Sequence, residues 1–456
     1  MTDTEKYSLV DGGIVKKLFS IALPLIGTQI FQMTYNLTDM FWLGRLSSDA
    51  VAASGTVGLF LWMSMAFMMF GRMGAEIGVS QSFGRGDKPG ALGFARNSIQ
   101  ISVAFGILIA LIFIIGREPL IGFFGIQEAS VEKDAQDYLG LVSFGFPFVF
   151  LTAAVSGVFN GSGNSRISML INGAGLLLNI ALDPLLIFTA GLGIIGAGAA
   201  TIIAQAAAAV LAITALHKYK NRPFEHIRVI RLPDREILKQ IVKWVTPMSV
   251  ESFLFTFLSM LVTALVASYG VGAMAAQRVG SQIESLTWLI AVGYASALTA
   301  FTGQNFGAGK WGRIHRGFRI SSAILASWGI IVSLILFFGG RVLFEIFIPN
   351  EPAVVEIGVE YMRTLAMIQS IACLEGVAAG IFRGQGKTIQ PSISSVTSNV
   401  LRVAAAYILA RHTSLGLTGI WIAFAAGAAL RGSWIYLWYL FHSRKLPKED
   451  IAVAEA

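Results

Sequence analysis

Twelve apolar stretches, each bounded by polar or charged residues, run the length of the chain at about 17–43, 51–80, 95–116, 136–160, 167–190, 195–217, 240–268, 279–303, 318–340, 354–382, 391–411 and 417–441. At about 1.5 Å of helical rise per residue, each is long enough to cross ~30 Å of hydrocarbon. The polar residues inside them are few and spaced. In the first stretch Thr28, Gln32, Tyr35, Asn36 and Asp39 stand at i, i+4, i+7, i+8 and i+11, which puts them on one face of a helix. The pattern predicts an all-α polytopic membrane protein of twelve transmembrane helices. The first stretch is too long for the core of a signal peptide, so it is expected to stay in the membrane.

Composition agrees. Of 456 residues only 13% are charged and 55% are hydrophobic, against about 25% charged in soluble chains. The net charge of +8 invites a nucleic-acid reading, but its distribution argues otherwise. Alternate connecting segments hold 23 lysines and arginines, from Lys6, Lys16 and Lys17 to Arg444, Lys445 and Lys448. The opposite segments hold five: Arg45, Arg117, Lys133, Arg341 and Arg411. This bias places the basic segments and both termini in the cytoplasm of a plasma-membrane protein. The basic run 217–239 then faces anionic lipid, and no nucleic-acid partner is expected. Cys373 is the single cysteine, and no Cys/His spacing suggests a metal centre. No cofactor is expected.

The run 217–239 divides the chain, and the two parts repeat. At a constant offset of 223, Pro24 matches Pro247, and Gln81, Phe83, Gly84 and Gly86 match Gln304, Phe306, Gly307 and Gly309. Gly157, Phe159, Gly161 and Gly163 match Gly380, Phe382, Gly384 and Gly386, and Leu192, Gly193 and Gly196 match Leu415, Gly416 and Gly419. One register held in four separated places indicates duplication. Each part has six spans, an even number, so the repeats run parallel. The expected organisation is an N-lobe over 1–216, a basic cytoplasmic linker over 217–239, a C-lobe over 240–441 and a cytoplasmic tail over 442–456. Two facing six-helix bundles suit alternating access. No nucleophile or metal cluster supports an intramembrane enzyme.

The same offset shows where the halves differ. Asp39 corresponds to Val262, Asp183 to Ala406 and Asn179 to Arg402. In the other direction Glu251 corresponds to Thr28 and Glu375 to Thr152. Matched glycines read as scaffold and unmatched charges as chemistry. A carboxylate inside a span costs roughly 2.5–3.5 kcal/mol on insertion scales, so it needs a polar neighbourhood, a proton or a cation. By helix rise, Asp39, Asn179, Asp183 and Thr201 reach a similar depth, and two carboxylates there can share one proton. Alternatively Asp39 is a structural carboxylate capped by Asn36 and Tyr35. Glu251, Glu375 and Arg402 form a second charged set nearer the midplane, read as a neutralised pair plus one titratable acid, as a cationic-substrate site, or as a structural ion pair. Gln32, Met33 and Phe255 are candidates for lining an adaptable cavity.

Together, Pro24…Gln32-x-x-Tyr35-Asn36-x-x-Asp39, Gln81-Ser-Phe83-Gly84-x-Gly86-Asp87, Gly157-x-Phe-x-Gly161-x-Gly163, Leu178-Asn179-x-x-Leu182-Asp183-Pro184 and Gly193-x-x-Gly196-Ala197-x-x-Ala200-Thr201 resemble the multidrug and toxic compound extrusion (MATE) transporters over essentially the whole chain. The resemblance implies twelve helices in two lobes and export of cationic, amphipathic small molecules coupled to inward proton or sodium flow. It implies an N-lobe cation site at Asp39, Asn179, Asp183 and Thr201, with Asn36 and Tyr35 beside it, and with sodium held, where sodium is the ion, by Asp39, Asn179 and Asp183. Glu251 and Glu375 resemble acidic residues carried in the seventh and tenth spans by the norfloxacin-efflux and eukaryotic branches. The chain is expected to act as a monomer in the bilayer. Its rivals are a lipid-linked saccharide flippase of the same superfamily, whose cavity should be cationic, a non-transporting scaffold and a channel.

Overall fold

A computed structural model describes residues 8–126, 128–218, 223, 224, 227, 231–349, 351–445 and 447. The tail beyond 447 and much of the basic run between 219 and 230 lie outside the described residues. The described chain is helical with no strand. The first half holds α1 (Ile14–Leu46), α2 (Ser48–Gly84), α3 (Lys88–Gly122), α4 (Ala129–Ser143), α5 (Phe146–Gly161), α6 (Ser165–Pro184) and α7 (Gly193–Lys218). The second holds α8 (Arg235–Ala267), α9 (Val271–Gly307), α10 (Trp311–Phe347), α11 (Pro352–Ala366), α12 (Gln369–Gly384), α13 (Ile389–His412) and α14 (Gly416–Ser443). Among the described residues nine helices are long and apolar enough to span a membrane, and twelve spans result if each bent helix pair counts as one. The fourth and tenth predicted spans are such pairs. α4 meets α5 at 47° and α11 meets α12 at 50°.

The duplication extends to element boundaries. Shifted by 223, α2, α4 and α5 coincide with α9, α11 and α12 at both ends. The turns correspond as well. Gly86 and Gly309 adopt φ of 73° and 71°, and Gly163 and Gly386 adopt 89° and 73°. Only glycine enters that region without a Cβ clash.

Other matched glycines serve close packing. A Cβ on Gly157 would stand 2.2 Å from the Arg72 carbonyl oxygen, and one on Gly380 would stand 2.6 Å from the Ala295 carbonyl oxygen. Arg72 and Ala295 are themselves 223 apart. In both halves, therefore, two helices touch backbone to backbone. This is the packing that small residues permit where lipid removes the hydrophobic drive between helices.

One stretch breaks the structural repeat. α6 ends at Pro184 and passes into a π-helical turn, Leu185–Thr189, closed by Ala190 N–H donating to Leu185 O at 2.8 Å. Pro184 has no N–H to give the preceding turn, so the α-ladder is interrupted beside Asp183. Tyr407 takes the place of Pro184 in the second half, and α13 runs unbroken to His412.

The chain groups into two compact units. Phe19–Ser249, with the described residues before Gly12, form one, and Gly12–Leu18 with the residues from Val250 form the other. The stretch 240–249, assigned to the C-lobe by sequence, therefore packs with the first unit. There Ile241, Trp244, Val245 and Met248 bury against Phe70, Met73 and Ile77. Trp244 stacks on Phe94 with ring centroids 5.5 Å apart, and Asn97 Oδ1 accepts from Asp234 N–H at 2.8 Å.

Gly157→Val should destabilise the fold by more than the ~1–3 kcal/mol of ordinary overpacking, because backbone and not a side chain would have to move. Gly55→Ala, whose added Cβ meets nothing within 4 Å, should be tolerated. Thermal melts of the two purified variants in detergent check the contrast. Equal melting temperatures would refute the close-contact account.

Candidate functional site

In the first unit α1, α6 and α7 bring together the polar residues singled out by sequence. Asn179 and Asp183, one turn apart on α6, are both fully buried. Asn179 Nδ2 donates to Asp183 Oδ1 at 3.1 Å. Tyr35 on α1 and Thr201 on α7 share a hydroxyl–hydroxyl bond of 2.9 Å. Asp39 and Asp183 lie within electrostatic reach of each other and of Tyr35. Three oxygens here are buried with no hydrogen-bond partner: Asp39 Oδ1, Asn179 Oδ1 and Asp183 Oδ2. Each leaves a desolvation cost of about 1–3 kcal/mol unmet, more if the group is charged. Tyr35 is bound to Thr201 and Asn36 is exposed, so the capped-carboxylate reading of Asp39 finds no support.

Tyr35 also borders a cavity of about 110 Å³ inside the same unit, between α1, α5, α6 and α7. Gln32 lines it with Thr28, Thr152, Asn172 and Gln205, and Met33 is not among its walls. Two wall residues, Thr152 and Gln205, hold buried side-chain oxygens without partners, Oγ1 and Oε1. No lysine, arginine or carboxylate contributes to the lining. The place is a neutral, hydrogen-bonding chamber whose Tyr35 wall lies within electrostatic reach of Asp39 and Asp183.

The second unit organises its charges differently. Glu375 on α12 forms an ion pair with Arg431 on α14, Nε to Oε2 at 2.7 Å, both mostly buried. Arg402 does not pair with either predicted glutamate. Its Nη2 donates to Ser259 Oγ at 3.1 Å, and its guanidinium lies over Phe255 at 5.5 Å and Phe424 at 5.0 Å. Phe255 is thus a platform for a cation. Glu251 accepts from Ser392 Oγ at 2.8 Å. Glu284 on α9 completes the set, accepting from Trp288 Nε1 at 3.3 Å and from the Tyr361 hydroxyl at 3.4 Å.

Three of these residues were missed from sequence. Glu284 and Arg431 correspond at the repeat offset to Leu61 and Ala208, so the comparison that singled out Asp39 would also have found them. The third is Tyr138, buried and within electrostatic reach of Asp39, Asp183 and Tyr35. Its partner across the repeat is Tyr361. An aromatic shared by the two halves carries no such signal in the repeat comparison, and only the structure places both tyrosines within electrostatic reach of carboxylates.

Comparison with known proteins follows the same division. The MatE family profile matches residues 24–185 and matches again over 247–408, the offset of 223 once more. A Thermotoga maritima protein named "Probable multidrug resistance protein NorM" is 26% identical over 97% of this chain and 95% of its own length. The Staphylococcus aureus "Multidrug export protein MepA" is 24% identical over 92% of each. Among solved structures, one described as an "Outward-facing conformation of a multidrug resistance MATE family transporter of the MOP superfamily" superposes with TM-score 0.91 at 22% identity, over 98% of this chain and 99% of the other. A second, "Crystal structure of MATE in the bent conformation", gives 0.91 at 22% identity over 98% of each chain.

Thr201→Val should lower the melting temperature by the equivalent of about 1–3 kcal/mol, because the Tyr35 hydroxyl loses its partner. Asn36→Ala should leave it unchanged. Differential scanning fluorimetry distinguishes the two, and a comparable loss in both would break the distinction between cluster and surface.

Proposed function

Since the chain belongs to the MatE family of multidrug efflux transporters, we propose that it exports cationic, amphipathic compounds across the plasma membrane in exchange for H+ or Na+ by alternating access. It is a multi-pass membrane transporter and not an enzyme. The observation that carries the finer reading is the trio of buried, unpartnered oxygens on Asp39, Asn179 and Asp183. Unpartnered oxygens from two carboxylates and an amide accept a bare monovalent cation or a proton, the two species an ion-coupled carrier exchanges. Thr201 and Tyr35 add hydroxyl oxygens that can turn toward the ion.

Tyr35 carries the coupling. It lies within electrostatic reach of the carboxylates and also borders the cavity. A cation or proton that neutralises Asp39 and Asp183 changes the polarity of the α1 face, and with it the balance between outward- and inward-open states. A cationic drug and the coupling ion then compete for the same negative charge, so the drug leaves as the ion enters. The basic connecting segments support a cytoplasmic position for both termini, and each protomer carries a complete set of these groups, consistent with a monomer. A flippase for pyrophosphate-linked saccharides would want cations along the cavity, and none line it.

Asp39→Asn is expected to express and melt like the parent yet lose drug resistance down to the transporter-free level. In proteoliposomes with a proton gradient and a sodium gradient imposed separately, one of the two should drive drug uptake into the trans compartment, and Asp39→Asn should abolish it. Full resistance from a well-expressed Asp39→Asn protein would sink the proposal.

A further inference from the structure

Three wall positions of the N-half cavity have charged counterparts in the second half. At the repeat offset, the wall residues Thr28, Thr152 and Ala208 become Glu251, Glu375 and Arg431. Two neutral hydroxyls are replaced by carboxylates, and a methyl group by a guanidinium. Arg431 reaches from the position of Ala208 to Glu375 at 2.7 Å, lies within electrostatic reach of Glu251 and Glu284, and has its guanidinium carbon 5.8 Å from the Trp288 ring centroid. Carboxylates around an aromatic face form the chemistry that recognises an organic cation. The equivalent place in the first half is a real chamber, and Thr152, 5% exposed, turns an unpartnered Oγ1 into it.

The neighbouring site shows the same exchange. Asn179 and Thr201, which face the carboxylates of the first half, correspond to Arg402 and Phe424, and the Arg402 guanidinium lies over the Phe424 ring. Asp39 and Asp183 correspond to Val262 and Ala406. In the second half fixed guanidiniums stand where the first half leaves room for mobile species.

We propose that Arg431 is a tethered ligand. It occupies an organic-cation site built from Glu251, Glu284, Glu375 and the Trp288 face, and its removal uncovers a site for small guanidinium or ammonium cations. The assignment is independent of what the first half transports. Charge supports it. Taking away the Arg431 guanidinium leaves Glu375 without its ion-pair partner in a low-dielectric place, which a diffusible cation of the same shape can restore.

The test is thermal unfolding of purified full-length protein with methylguanidinium chloride at low millimolar concentration, with potassium chloride at equal ionic strength as control. R431A should melt at a temperature that rises with methylguanidinium and not with potassium, and adding E375Q should remove the response. The unsubstituted protein should show none. A folded R431A that responds no better to methylguanidinium than to potassium overturns the proposal, and so does an equal response in the unsubstituted protein. If R431A folds only when purified in methylguanidinium, the proposal stands.

If R431A folds in neither salt, the reverse transplant decides. Thr152→Glu with Ala208→Arg installs the same pair in the first half and should fill the cavity, abolishing drug resistance while the protein is still expressed. Full resistance would overturn the equivalence of the two sites. That transplant alone rests on the N-half cavity being the substrate site. The methylguanidinium measurement does not, so the two readings fail separately.

Discussion

Inside hydrocarbon a polar atom has no water to fall back on, so each must be satisfied within the protein or by something it carries. Most of this chain obeys that rule by being helical. Asp39 Oδ1, Asn179 Oδ1 and Asp183 Oδ2 are among the buried atoms that do not, and they stand close together on two helices. Pro184 interrupts the α-ladder next to Asp183, a π-helical turn continues the chain, and the Tyr35–Thr201 bond closes one side of the cluster. An ordinary α-helix can satisfy its own backbone, but it cannot supply a proton or a cation to a pair of acids. On the proposed reading, that need is what would make the site responsive to ions.

Duplication set the terms on which this could evolve. The two halves share helix boundaries, glycine turns and the backbone contacts of Gly157 and Gly380. These features depend on sterics, which tolerate little change. Side chains on the cavity walls are under no such restraint. The first half keeps space, neutral donors and two acids. The second places Arg431 at the position of Ala208, paired with Glu375 and within electrostatic reach of Glu251 and Glu284. One scaffold therefore presents two electrostatic environments, one with two acids beside a neutral cavity and one in which an arginine pairs with a glutamate.

The polar face of the first span was legible because helical spacing places Thr28, Gln32, Tyr35 and Asp39 together without knowledge of any other helix. Asn179 and Asp183 were legible for the same reason, being one turn apart. Glu284 and Arg431 stand out only when the two halves are compared position by position, and their partners Tyr361 and Glu375 come from other helices. The Arg402 environment was misjudged for a related cause. A buried arginine beside two glutamates invites an ion pair, yet aromatic faces and a serine hydroxyl hold it, and Arg431 takes Glu375. Which of several cations claims a given carboxylate depends on distances between helices.

Sequence by itself determined the membrane class, the twelve-span count, the duplication and the candidate acids. Hydrophobic length, helical periodicity and a constant repeat offset are local or one-dimensional quantities. Tertiary structure alone decided that three spans are bent pairs, that α8 up to Ser249 packs with the first unit, that Tyr138 lies within electrostatic reach of the carboxylates, and that Arg431 pairs with Glu375. Each of these depends on which side chains meet across helices distant in sequence, and a one-dimensional pattern holds no distance of that kind.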